Sequence, residues 1–287
     1  FLSSYQELSN KRYDSEIIDS AFLIDYIDMI VGQREKCSWY KDYSFNDFCE
    51  YILPYRLKNE WIDTSAQKYR SIIELNEKIS DAIAIHSLYF QGNKKYIETK
   101  LSDALYQLGI EPFLKDLNET KLKYNIMLSC EEEAASECYL YNSVGIPRVY
   151  DFVPHWANQN GRHAWATSPY DLEKPVYNYA KIYRRTFSHN PSPETDRPYE
   201  TIPELFKEPF HKDVTALYGD TGDLSLKLSR QRRDFDNIYL HVFNGGEWHP
   251  VAWERISGKS VHFSDLGKGV VYLPGYCGDE VMITEGF

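Results

Sequence analysis

The spacing of apolar residues predicts helices over the first 128 residues. In DSAFLIDYIDMIVGQ the apolar positions recur about every 3.6 residues and stop at Gly32. These positions are Phe22, Ile27, Ile30 and Val31. In SFNDFCEYILPY, Ser44 and Asp47 form a capping pattern, and Pro54 ends the helix. Two longer amphipathic stretches, at 65–90 and 94–109, continue the predicted helical region.

Short strands replace the helices after residue 145. RVYDFV, HAWATS and VYNYAKIYRRTF are rich in β-branched and aromatic residues and are separated by Pro, Asn and Gly, so they predict antiparallel strands. Residues 188–210 carry five prolines, which favour an extended linker. Beyond them, four alternating runs predict a small all-β sandwich. The runs are DLSLKLSR, NIYLHVFNGGEWHPVAWERI, SVHFSDLG and GVVYLPGY.

These patterns together predict an α+β chain with two domains. Residues 1–205 contain the helical part and the first strands, and residues 206–287 contain the sandwich. A length of 287 residues is sufficient for two hydrophobic cores.

Composition excludes two classes of partner. The chain has 43% hydrophobic and 26% charged residues, and no apolar run reaches the ~20 residues of a membrane-spanning helix. A net charge of −11 repels a phosphate backbone, and the basic clusters RRTF and RQRR are too short to form a groove. We therefore expect no nucleic acid and no membrane span. The start at Phe1, without an initiator methionine, leaves room for a removed targeting segment or a lipid anchor upstream.

The five cysteines contain no CxxC pair, which argues against a zinc ribbon or a thioredoxin-type site. Cys130 and Cys138 are eight residues apart, or about 12 Å on a helix, which is beyond disulfide reach. Cys130 is therefore a candidate free thiol. The three histidines of the sandwich region lie in strand patterns, which is typical of surface or core residues rather than ligands. They are His241, His249 and His262.

Cys130 lies in the first turn of a predicted helix. Ser129 and Glu132 fit a capping box, and the helix runs to residue 144, with Gly145 and Pro147 ending it. Unsatisfied N–H groups and the helix dipole favour a thiolate there. The acidic residues 131–133 oppose the thiolate, so a base is still needed.

His163 is the candidate base. The strand RVYDFV leaves the helix, the loop PHWANQNGR turns back, and His163 opens the next strand with Trp165 on the same face. A helix start packed across this strand start would bring sulfur and imidazole together, as a thiolate–imidazolium pair requires.

These residues resemble the core motifs of the transglutaminase-like superfamily, a papain-related cysteine fold found in bacterial envelope proteins. The matching motifs are Cys130, the triplet at 145–147 and HAW at 163–165. FCEYILPYRLKNE near the start, and IYLHVFNGGEWHPVAWERI with GVVYLP near the end, are similar to flanking segments of a Bacteroidetes group of these proteins. The resemblance implies a papain- or transglutaminase-like core, in which a helix bearing the cysteine packs on an antiparallel sheet bearing histidine and an acid or amide.

The activity that the resemblance implies is acyl transfer from amide carbonyls. The leading hypothesis is a secreted or cell-envelope cysteine amidohydrolase or peptidase acting on peptide or isopeptide bonds, with a peptide or glycopeptide substrate and no cofactor. The alternative is a non-catalytic envelope protein that keeps the fold and binds peptide or glycan. Reactivity of Cys130 distinguishes the two hypotheses.

The third catalytic residue departs from the family pattern, which has Asp in the strand after HAW. If residues 163–170 are extended, Asp171 lies about 26 Å from His163, too far to touch the imidazole. A hairpin turning at YDLEKP returns a residue near 178–180 opposite His163. We therefore predict Asn178 as the residue whose carbonyl oxygen accepts the imidazole N–H.

The residues around the predicted catalytic set suggest how a substrate is held. Trp156, Asn158 and Trp165 are predicted to bind substrate, because aromatic side chains often line sites for peptides or sugars. Trp156 capping the hydrophobic core is an equal alternative. Asp151 is expected to face solvent or to pair with Arg148.

A metal site was weighed from ligand types alone. Cys130, Asp151, His155 and His163 are all potential ligands, but their spacing fits no usual zinc pattern, so we expect no metal.

Overall fold

The computed structural model describes part of the chain. The described residues are 18, 20–36, 43–54, 130, 131, 134, 138, 147–172, 175, 178–228, 234–278 and 282–284. The chain divides into two compact units, of which the first comprises residues 1–127 and 142–146 and the second comprises 128–141 and 147–287. The helices predicted at 65–90 and 94–109 lie outside the described residues.

The first unit contains the helix α1, Ser20–Lys36. Tyr26 and Ile30, one turn apart, are its buried side chains among those described. The predicted end at Gly32 is wrong, because the helix continues four residues further. A glycine ends a helix by adopting a positive φ, and Gly32 is not among the positive-φ glycines.

A short second helix confirms the predicted start at Ser44. α2 spans Phe45–Asp47 and continues as a π-helical turn over Phe48–Ile52. The Ser44 hydroxyl oxygen accepts a hydrogen bond from the Asp47 backbone N–H at 3.1 Å, which satisfies one free donor of the first turn. The turn ends before Pro54, as predicted.

The second unit begins with a four-stranded antiparallel sheet in the order β2-β1-β3-β4. Its strands are β1 (Val149–Val153), β2 (His163–Thr167), β3 (Tyr183–Arg185) and β4 (His211–Asp213). The strands predicted from RVYDFV and HAWATS are confirmed. VYNYAKIYRRTF forms a shorter strand than predicted. β3 was expected to return beside β2, but it pairs with β1, so β2 lies at the edge of this sheet.

The alternating runs near the end form two further antiparallel sheets. One has the order β10-β9-β6-β7, and the other pairs β5 with β8. The strands are β5 (Thr221–Lys227), β6 (Asn237–Asn244), β7 (Glu247–Arg255), β8 (Ser260–Gly267), β9 (Leu273–Cys277) and β10 (Met282–Thr284). A two-residue turn joins β6 to β7, and its glycines, Gly245 and Gly246, have φ angles of +61° and +93°. Such angles suit a tight β-hairpin.

The chain is therefore α+β, with few described helices and several antiparallel sheets. The short helix α3, Thr215–Tyr218, follows β4. Buried Tyr183 of β3 packs with Phe206 and Tyr239, which lie beyond residue 205. β4 also lies beyond residue 205 and joins the sheet of β1. The expected domain boundary at 205/206 thus falls inside the second unit.

No helix in the described part of the chain is long and apolar enough to cross a membrane.

Candidate functional site

Cys130 lies on a helix of the second unit, as the sequence predicts. Residues 130, 131, 134 and 138 are helical, whereas both predicted ends of the helix lie outside the described residues. Cys130 is a free, half-buried thiol. Ala134 and Cys138, one and two turns further, are buried. The helix therefore packs one face inward while the Cys130 thiol keeps some contact with solvent.

His163 is the first residue of β2 and is exposed. Its ring stacks with two tryptophans, with ring centroids 6.0 Å from Trp156 and 5.7 Å from Trp165. Partial desolvation lowers the pKa of His163 below its ordinary value. The imidazole is accordingly neutral at pH 7, which is the form that accepts a proton.

An ion pair connects the segments that carry the thiol and the imidazole. Glu131 Oε1 lies 2.9 Å from Arg162 Nε. Glu131 follows Cys130 directly, and Arg162 directly precedes His163. Tertiary structure thus brings these two segments together, although among the described residues no hydrogen bond joins the sulfur to the imidazole.

The strand alternation places His163 on a particular face of the sheet. His163 pairs with Val153 in β1, and Tyr150 lies three positions earlier in β1, so it faces the other side. Burial raises the pKa of Tyr150, and the nearby Glu131 carboxylate and Cys130 thiol raise it further. Cys130 and Glu131 therefore lie near Tyr150, whose side chain is on the face of the sheet opposite to that of His163.

Asn178 is not brought to the imidazole. Its backbone carbonyl accepts a hydrogen bond from the Ala157 N–H at 3.1 Å, and its side-chain nitrogen lies 3.9 Å from where a Cβ at Gly269 would stand. No hydrogen bond joins Asn178 to His163, both of which the structure describes. The expected register was wrong because it assumed that β3 pairs with β2, and β3 pairs with β1.

The predicted substrate-binding residues differ in exposure. Trp156 is only 4% exposed and packs against Val153 and Tyr218 in a hydrophobic cluster, which corresponds to the core alternative. Asn158 is exposed, and Trp165 is half-buried. Trp165, which is half-buried and stacks with His163, is therefore open to a ligand beside the imidazole, whereas Trp156 belongs to the core.

Asp151 belongs to a buried hydrogen-bond network, so the expectation that it faces solvent or pairs with Arg148 was wrong. Arg184 binds it through two hydrogen bonds of 2.8 and 2.9 Å. The Tyr218 hydroxyl donates to the Asp151 carboxylate at 2.5 Å and accepts from the Trp165 indole N–H at 3.2 Å. The alternation of β1 turns Asp151 inward, where a paired charge is required. The network fixes Trp165 against the His163 ring.

A second cysteine–histidine pair was not singled out from the sequence. Cys277 Sγ lies 3.6 Å from His241 Nε2, and His241 Nδ1 donates to the Leu273 carbonyl at 3.1 Å. Burial raises the pKa of Cys277 to about 12 and lowers that of His241 to about 4. Both groups are neutral at pH 7, so the S–H donates to the imidazole. The sequence indicates that both residues lie in strands, but it does not indicate that β6 and β9 are neighbours.

Potential metal ligands do not converge in the described part of the chain, where no group of three His, Cys, Asp or Glu side chains is arranged to hold an ion. Of the set weighed from the sequence, Asp151 binds Arg184. His155 stacks instead on His249, with centroids 4.0 Å apart.

No family model matches this chain, no curated protein matches it, and no solved structure matches it. Function is therefore inferred from the motifs and from the chemistry of these side chains.

Proposed function

We propose that this protein is a transglutaminase-like cysteine amidohydrolase or peptidase, with Cys130 as nucleophile and His163 as general base. In this proposal the Cys130 helix and the sheet of β1–β4 form the papain-related core, and β5–β10 form the sandwich. The observation that carries the proposal is the ion pair between Glu131 and Arg162, which are adjacent in sequence to the two reactive residues.

The proposed reaction is acyl transfer from a peptide or isopeptide bond. His163 takes the thiol proton, and the sulfur forms a bond to the carbonyl carbon. The amide C–N bond breaks, and the amine leaves with that proton. Water then attacks the thioester, gives a proton to His163 and releases the acid, and the thiol regains its proton. The lowered pKa of His163 and the place that the sequence predicts for Cys130 in the first turn of its helix support this assignment.

The test is the alkylation rate of Cys130 at pH 7, mapped by mass spectrometry. Cys130 is expected to react faster than the other four cysteines. His163→Ala should slow it by about tenfold or more, because the base is removed. Arg162→Ala should slow it in the same direction by breaking the ion pair.

Lys207→Ala is the matched control, because it breaks an ion pair with Glu204 on the surface. It should leave the Cys130 rate unchanged. Equal labelling of all five cysteines, or a rate unaffected by His163→Ala, contradicts the catalytic assignment.

A second candidate function is binding of peptide or glycan without catalysis. It is favoured because no hydrogen bond joins the described side chains of Asn178 and His163 and because Cys130 and Glu131 lie near Tyr150, on the opposite face of the sheet. In this case Trp165→Ala weakens binding of a peptidoglycan fragment measured by calorimetry, and Cys130→Ala does not. Cleavage of that fragment by the wild type, lost in Cys130→Ala, argues for the enzyme instead.

A further inference from the structure

The loop that leads into His163 is held by one buried amide. Asn244, the last residue of β6, is 4% exposed. Its side-chain nitrogen contacts three carbonyls of the loop, those of Trp156 at 2.9 Å, Gln159 at 2.8 Å and Gly161 at 3.0 Å. Its side-chain oxygen accepts from the Gly161 N–H at 3.0 Å. The two N–H bonds of the amide are thus shared among three carbonyls, so that one side chain contacts four backbone groups of the loop.

Two further contacts hold the same loop against the hairpin of β6 and β7. The Gly245 N–H donates to the Asn160 side-chain oxygen at 2.9 Å. The His155 ring stacks on His249 with centroids 4.0 Å apart and an interplanar angle of 9°. His249 Nε2 in turn lies 3.0 Å from the Asn244 carbonyl oxygen. The contacts therefore fall on the beginning and the end of the loop.

Closure of the loop sets the surroundings of His163. The Trp156 N–H donates to the Gly161 carbonyl at 3.1 Å, so both ends of the loop meet where Asn244 binds. Gly161 has a φ of +95°, a conformation that other residues rarely adopt. Trp156, near the start of the loop, stacks on the His163 ring. Arg162, at the end of the loop, pairs with Glu131.

We propose that Asn244 is a positioning residue for His163, which acts by fixing the loop that carries Trp156 and Arg162. The inference rests on the proposed function, because it assigns Asn244 a part in the reactivity of Cys130. Without the amide, the loop loses its side-chain contacts at all four of these backbone groups. The loop then no longer fixes Trp156, which stacks on the imidazole, or Arg162, which directly precedes His163.

The experiment compares Asn244→Ala and Asn244→Asp with the wild type in the full chain. Two quantities are measured, the pKa of His163 by NMR titration and the alkylation rate of Cys130 by iodoacetamide. The pKa of His163 should rise toward the ordinary value of about 6.5, because the ring loses its tryptophan contact and gains water. The alkylation rate should fall several-fold. Asn244→Asp should have the larger effect, since its carboxylate opposes three carbonyl oxygens.

Asn190→Ala is the matched control. Its amide also binds a loop, through Thr186 Oγ1 and the carbonyls of Ser188 and Pro209, away from His163. It should leave the pKa of His163 and the alkylation rate unchanged. If the Asn244 variants do not fold, Asn160→Ala, which removes only the exposed bond to Gly245, should shift both quantities in the same direction by less.

An unchanged His163 pKa in the folded Asn244 or Asn160 variants overturns the proposal. So does an equal change in Asn190→Ala, which would indicate a general loss of structure. Failure of the proposed function has a different outcome. In that case Cys130 is alkylated in His163→Ala at the wild-type rate, while the Asn244 variants still raise the pKa of His163.

Discussion

The two cysteine–histidine arrangements of the second unit differ in burial and contact. Cys277 and His241 are hydrogen-bonded, and His241 is almost completely buried. Cys130 and His163 are partly or largely exposed and are connected through the neighbouring ion pair. Burial keeps the first pair neutral, with a cysteine pKa of about 12 and a histidine pKa of about 4. Contact between thiol and imidazole therefore does not by itself make a reactive pair, because desolvation opposes the ionic form.

The surroundings of the two histidines differ in the same sense. His163 stacks on Trp165, whose indole is tied to a buried ion pair of Asp151 and Arg184. His241 is oriented by a neutral backbone carbonyl instead. A buried ion pair therefore helps to fix the tryptophan beside the exposed imidazole, whereas the buried imidazole is bound by a neutral group.

The largest expected effect on stability comes from the buried ion pair of Asp151 and Arg184. Arg184→Met should lower the free energy of unfolding by about 3–5 kcal/mol, because it leaves the Asp151 carboxylate buried without its counter-charge. Urea denaturation at pH 7 measures this. The control Arg197→Met breaks a more exposed pair with Asp236 and should cost at most about 1 kcal/mol. Similar losses of stability in both variants would contradict the distinction between the buried and the more exposed ion pair.

The next prediction concerns the buried imidazole and pH. The folded pKa of His241 is about 4, below its ordinary value, so the unfolded chain binds the proton more tightly. The contribution of His241 is present above about pH 6.5 and is lost as pH falls toward 4, by about 3 kcal/mol. Unfolding free energies across that window should decline less in His241→Gln, which keeps a donor and an acceptor. His189→Gln, at an exposed site, should show the same pH dependence of stability as the wild type. The prediction is contradicted if His241→Gln also loses stability in parallel with the wild type.

A smaller effect is expected for the buried thiol. With a pKa of about 12, Cys277 holds very little thiolate at pH 7, so its alkylation in the folded protein should be at least about 100-fold slower than in urea. Site-resolved mass spectrometry measures the ratio, with Cys130 in the same sample as the exposed comparison. Protection of Cys130 equal to that of Cys277 would abolish the difference between the two pairs.

Local sequence patterns predicted several elements because their causes are local. The Ser44 cap and the stop before Pro54 depend on hydrogen bonds within one turn. The alternation of HAWATS correctly puts His163 and Trp165 on one face of β2. The end of α1 was missed because Gly32 tolerates a helix and needs a further signal to end it.

The sequence by itself determined which residues alternate, that Cys130 lies on a helix and which stretches form strands, since these follow from backbone geometry over a few residues. Only the tertiary structure decided that β3 pairs with β1, which removes Asn178 from His163. It also decided that Asp151 meets Arg184, that Cys277 meets His241, and that Asn244 holds the loop before His163. These partners are far apart in the chain, and their choice depends on which buried polar groups can be satisfied together.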